Sequence, residues 1–217
     1  MSALPLVAVP TGAELEFDRQ VDCLAATGLP ELRDLSESCF RAWLEPLRDL
    51  LPPPPPADDD ARIPFVVVVP DLPVVPVLDS VHGTGGGGFT TMEADDLTRF
   101  RPLPELRVPA APYLLVDVDL GPDTLNLPPA EVLPTLTDAG RSPLTIAEGL
   151  AVLVSDHGVL RSRNCFSLLG SRAGDKRVPA LWVSERRPRL GWCYQGAPHT
   201  WLGSASCAAR RGLSLGV

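Results

Sequence analysis

Lysine is nearly missing from this chain. Lys176 is the only one among nineteen basic residues, and isoleucine occurs only at Ile63 and Ile146. With twenty-five prolines, this skew fits a GC-rich genome and carries no functional message. A long apolar run is also missing. No run exceeds the length of residues 65–69, far short of the roughly 20 residues a spanning helix needs. The opening MSALPLVAVPTGAE has neither a basic region nor an extended apolar core, so it does not read as a secretory signal. Five cysteines at irregular spacing do not form a disulfide framework. These absences lead to the expectation of a cytoplasmic protein with reduced thiols and no membrane association. No Gly-Lys-Ser/Thr follows the glycine run, and no G-x-S-x-G elbow is present.

What is there is an apolar share of 45% over 217 residues, enough for a real core. Charge is divided unevenly. Residues 1–138 carry a net −15 and residues 139–217 a net +7. Either the two parts attract each other, or a basic face meets an anionic partner.

Periodicity predicts a helix over 13–27, ended by Gly28, and a second helix capped by Ser36 that kinks or splits at Pro46. Residues 1–51 thus read as an arm and a helical hairpin. Residues 52–62, rich in proline and aspartate, read as a stiff solvated spacer. The body, residues 63–217, belongs to one domain with the N-terminal helices. Within it, strands are expected at 63–69, at 74–81 as a proline-interrupted edge, and at 113–120. A Thr90/Glu93 capping pair is expected to open a short helix. Two further helices follow, over 128–139 and after a Thr145/Glu148 box. The last third reads as β, with a hairpin whose five-residue loop 185–189 sets Trp182 opposite Trp192. The class is α+β, with the helical hairpin packed on a mixed sheet and a C-terminal β-hairpin region.

Several constellations bear on chemistry. Gly83, Gly85 and Gly88 fit G-x-G-x-x-G in spacing, but no strand–turn–helix unit surrounds them, so they read as a flexible loop. Asp117 and Asp119 project from one strand face. The pair resembles the start of the haloacid dehalogenase pattern, whose chemistry also needs downstream carboxylates, and after Lys176 only Glu185 is acidic. A magnesium ion or polar ligand on that face is the alternative to a solvated surface. Cys165, Cys193, His199 and Cys207 offer a Cys₃His zinc set without the short spacing of a zinc motif, and the default for such cysteines is core packing. His199 with Cys193 offers a base and a nucleophile. Arg172, Trp182, Trp192, Tyr194 and Trp201 belong to an arginine- and aromatic-rich region suited to an anionic ligand. The overall acidity argues against nucleic acid.

The phrases EFDRQVDCL, YLLVDVDLG, RSPLTIAEGL, NCFSLLGSR and LGWCYQGAPHTWLGSASC together resemble an uncharacterised family of actinobacterial proteins, a domain of unknown function. The resemblance covers about residues 16–210 and implies a one-domain bacterial protein of this size. It brings no activity, cofactor or site residue with it. The expectation is therefore a protein that binds a small anionic ligand or a protein partner through its C-terminal region. One alternative is a small enzyme of specialised metabolism, using His199 with Cys193 or with Asp117 and Asp119. Another is a zinc-stabilised interaction protein. No cofactor or resident metal is assigned.

Overall fold

The computed structural model describes residues 11–53, 62–160 and 165–213. Most of the expected arm and spacer, together with Arg161 and Arg163, lies outside the described residues.

Helix α1 (Gly12–Ala26) opens on a capping box between Thr11 and Glu14 and turns Phe17, Gln20, Val21 and Leu24 inward. Gly28, at φ 79°, gives the left-handed exit. After the short α2 (Leu29–Leu32), α3 (Glu37–Leu44) is capped by Ser36 and passes into a 3₁₀ turn, Glu45–Leu50. The change falls at Pro46, which has no N–H for an α-helical bond. The remaining elements are β1 (Ile63–Val68), α4 (Val74–Ser80), β2 (His82–Gly83), β3 (Gly86–Gly87), β4 (Phe89–Thr90), α5 (Ala94–Arg99), β5 (Arg101–Pro102), β6 (Tyr113–Asp119), α6 (Pro129–Asp138), β7 (Ser142–Pro143), α7 (Ile146–Ser155), β8 (Cys165–Ser167), β9 (Ser171–Arg172), β10 (Arg177–Ser184), β11 (Arg187–Tyr194), β12 (Leu202–Ser204) and β13 (Ser206–Gly212).

The α+β class holds, with the strands divided between two main sheets. The first has the order β1-β6-β13-β7 and is antiparallel throughout. The second, β12-β8-β10-β11-β4, is mixed. A single residue, Ala205, carries the chain from one sheet to the other between β12 and β13. Helix α7 is buried on all sides, packing on β1, α1 and α4 and also on β10. Its capping box joins Thr145 to Glu148, and Glu148 is fully buried. That carboxylate is paid for by a complete set of partners: Arg210 Nη2 donates at 2.9 Å, Tyr113 Oη at 2.8 Å and Thr145 N at 2.7 Å. Gln20 closes the free edge of β1: its Nε2 donates to Phe65 O at 3.0 Å, and its Oε1 accepts from Val67 N at 2.8 Å.

Three expectations need correction. Residues 74–80 form a helix rather than an edge strand. Pro76 stands in the first turn, where its missing N–H costs nothing, and Val77, Leu78 and Val81 are buried together. The Thr90/Glu93 capping pair does not form, because Thr90 is held in β4 beside Leu190; Glu93 caps α5 with its backbone alone. Residues 82–87 form a hairpin rather than a flexible loop. A Cβ on Gly83 would sit 2.3 Å from Arg186 O and one on Gly85 2.3 Å from Glu185 O, while Gly85 N donates to Arg186 O at 3.0 Å. The glycine run is therefore a backbone cradle for the β10–β11 turn.

Candidate functional site

That turn has only two residues. Glu185 (φ 55°) and Arg186 (φ 60°) both take the left-handed conformation of a tight hairpin, which glycine or asparagine adopts more readily. The expected five-residue loop is therefore wrong, and so is the register built on it. Trp182 lies opposite Arg189, Ala180 opposite Gly191, and Pro179 opposite Trp192. Cross-strand partners share a face, so Trp182, Arg189 and Gly191 stand on one face of the hairpin and Trp192 on the other.

The Trp182 indole lies across Gly191, where an added Cβ would come within 2.2 Å of the ring. Its edge meets Trp201 at 6.2 Å between ring centroids, and Trp201 meets His199 at 5.3 Å. On the opposite face, Trp192 and Tyr194 form a T-shaped pair at 5.3 Å. The hairpin thus gathers the expected aromatic residues on its two sides.

Strand β4 pairs with β11 only at Arg189 and Leu190. Beyond that point the chain turns away at Thr91 to enter α5, leaving a cavity of about 400 Å³ beside the open part of β11. Trp182, Arg189, Gly191 and Trp192 line it from the hairpin, and Thr91, Met92, Glu93 and Asp96 from the segment that leads into α5. The volume suits a small ligand. The second group had no sequence signal, since it arrives from about ninety positions upstream.

The charges in and around the cavity differ in how far they are neutralised. Asp96 accepts Arg177 Nη2 at 2.7 Å as part of a two-pronged ion pair, and Arg177 also holds Asp175 at 2.9 Å. The hydrogen bonds from Arg177 hold the Asp96 carboxyl below its ordinary range. Arg189 is different. Its guanidinium lies 5.2 Å from the Trp182 ring centroid and 5.5 Å from that of Phe89. Nη2 donates to Thr91 Oγ1 at 2.9 Å, while Nε is buried without a hydrogen-bond partner. Among the described residues, no carboxylate pairs with Arg189.

The other expected site residues lie apart from this cavity's lining. Arg172, in β9, donates to Ser171 O at 3.1 Å, and burial lowers its pKa. Asp117 and Asp119 do share a side, but arginines occupy it. Arg141 Nη1 holds Asp117 at 2.7 Å, and Arg62 reaches Asp117 at 3.2 Å and Asp119 at 3.7 Å. Partial burial alone would raise the Asp117 pKa, yet the bonds and charges of Arg141 and Arg62 outweigh it and hold the carboxyl low. Asp117 has φ 55° inside β6. The Arg141–Asp117 and Arg177–Asp96 pairs both join the basic C-terminal part to the acidic remainder, so part of the charge asymmetry is spent within the molecule.

The cysteines do not form the Cys₃His set. Cys165 and Cys193 lie in one apolar cluster with Val132, Val178 and Leu202, and Cys207 lies in the main core. Among the described residues, no three His, Cys, Asp or Glu side chains come together to hold a metal. No hydrogen bond joins Cys193 to His199, whose Nε2 is buried without a partner. Burial pushes the Cys193 thiol up to about 11, away from the thiolate a nucleophile requires.

Residues 23–213 match the model of a family of unknown function (DUF5701). The chain belongs to this family. The matched region begins inside α1 and includes every residue of the cavity at β11. No curated protein and no solved structure matches the chain. No helix among the described residues is long and apolar enough to cross a membrane.

Proposed function

We propose that this protein binds a small anionic ligand in the cavity at the open edge of β11. Arg189 carries the reading: a guanidinium set between Phe89 and Trp182, without a carboxylate partner among the described residues, on a cavity walled by Trp182 and Trp192. Such a group offers charge-assisted hydrogen bonds to a carboxylate or phosphate, and the rings add apolar contact.

Calorimetric titration with 3-phenylpropionate, an aromatic carboxylate, tests this. Wild type binds one equivalent, and Arg189→Met weakens binding about 10- to 100-fold, as expected for the loss of a charge-assisted contact. Equal binding by both proteins counts against the reading. A protein partner has separate support in the Gly191–Trp192–Cys193–Tyr194 edge, which has no neighbouring strand among the described residues and could take an extended peptide. Such a partner would slow amide exchange at Tyr194, beyond the cavity's lining.

A further inference from the structure

The cavity holds a second charge that an anion alone does not use. Glu93 lines it and has no cation partner among the described residues, and its side chain makes no capping bond to α5. Asp96 is not equivalent, since Arg177 neutralises it with two hydrogen bonds and Arg99 approaches at 3.5 Å. One wall therefore presents an unneutralised cation, Arg189, and another an unneutralised anion, Glu93, and the two do not pair with each other. A simple anion entering here gains Arg189 and is repelled by Glu93. A simple cation meets the opposite balance. A ligand carrying both charges satisfies both walls.

The rest of the lining narrows the class. Trp182, Trp192 and Met92 provide apolar surface for a ring or a large aliphatic group. Among the described residues, β11 has no strand neighbour beyond Leu190. Main-chain donors and acceptors at such an edge recognise the ammonium and carboxylate ends of a single residue much as they recognise an added strand. We propose that the ligand is a zwitterion of the α-amino-acid class with an aromatic or large apolar side chain. Its carboxylate lies on Arg189, its ammonium toward Glu93 and its side chain against the tryptophans. This assignment rests on the anion-binding reading of the same cavity and adds the amine.

Calorimetry with three probes that share one ring separates the two. Phenylalanine carries both charges, 3-phenylpropionate lacks the amine, and 2-phenylethylamine lacks the carboxylate. The expected order places phenylalanine at least about 10-fold tighter than either partial probe, the value of one charge-assisted contact. In Glu93→Gln, phenylalanine falls to the level of 3-phenylpropionate, whose own affinity does not fall. Binding of 3-phenylpropionate as tight as that of phenylalanine overturns the zwitterion and leaves the anion reading standing. Tightest binding by 2-phenylethylamine, or no binding by any probe, overturns both. An unchanged phenylalanine affinity in Glu93→Gln overturns the role given to Glu93.

Discussion

Trp182 and Gly191 fit as a pair: the indole occupies the space that any side chain at position 191 would need. Gly191→Ala forces the ring off the strand. Overpacking of this kind costs about 1–3 kcal/mol. A lower midpoint in urea unfolding, accompanied by a changed tryptophan emission spectrum, is the expected result. The cavity loses a wall at the same time, so 3-phenylpropionate binding weakens along with stability.

The buried network around Glu148 predicts a larger effect. The Arg210 side chain, only 6% exposed, has this carboxylate as its charge partner. Glu148→Gln leaves the guanidinium buried without a counter-ion, and breaking such a pair costs about 3–5 kcal/mol. Glutamine keeps only one acceptor oxygen, so either Tyr113 or the start of α7, which bond to different oxygens of Glu148, loses its acceptor as well. Chemical unfolding should show a loss of that size, against a change of less than about 1 kcal/mol for Glu37→Gln, whose pair with Arg41 is exposed.

Alkaline pH should unfold the protein through its core thiols. Burial pushes both Cys193 and Cys207 up to about 11. In the unfolded chain a thiol ionises near 8.5, so between the two values the unfolded state binds fewer protons than the folded one. Stability is therefore complete below about pH 8.5 and declines as pH rises toward 11, by on the order of 3 kcal/mol for each thiol at most. Tyr113, raised by burial and by the neighbouring Glu148 charge, adds to the decline above pH ~10. Urea unfolding across this range should show the slope, and Cys193→Ala with Cys207→Ala should flatten it.

Thiol labelling separates core cysteines from surface ones. Cys39 is exposed and Cys23 half-buried, whereas Cys165, Cys193 and Cys207 are buried. A soluble disulfide reagent should modify at most Cys23 and Cys39 in the native protein and all five after unfolding. Rapid native labelling of Cys193 would contradict its place in the buried apolar cluster with Val178 and Val132.

Much of the helical layer could be read from sequence because local signals and tertiary contacts agree there. Thr145 and Glu148 form their box, and Pro46 breaks its helix. The same pattern failed at Thr90 and Glu93, where a parallel pairing to Leu190 had already claimed the threonine's backbone. Strand β13 was not foreseen. Its Ser-Cys-Ala-Ala-Arg-Arg-Gly run lacks β-branched residues and is a strand because β6 and β7 pair with it. Trp182 and Trp192 stood out as site residues by type alone. Their register did not, since two non-glycine residues at positive φ make the turn, and Gly83 and Gly85, a hundred positions upstream, embrace it. Thr91 to Asp96 carry no local mark of the cavity they complete.

The most direct measurement is the set of indole N–H resonances during titration with 3-phenylpropionate, assigned by single Trp→Phe variants. The four tryptophans report on different places: Trp182 and Trp192 line the cavity, Trp201 touches Trp182, and Trp43 packs against Phe40 near the N-terminus. Shifts of the Trp182 and Trp192 signals, with Trp43 unmoved and the response lost in Arg189→Met, are the predicted result. Saturating ligand that leaves Trp182 and Trp192 unmoved, or that shifts them equally in Arg189→Met, would contradict a binding site at the edge of β11.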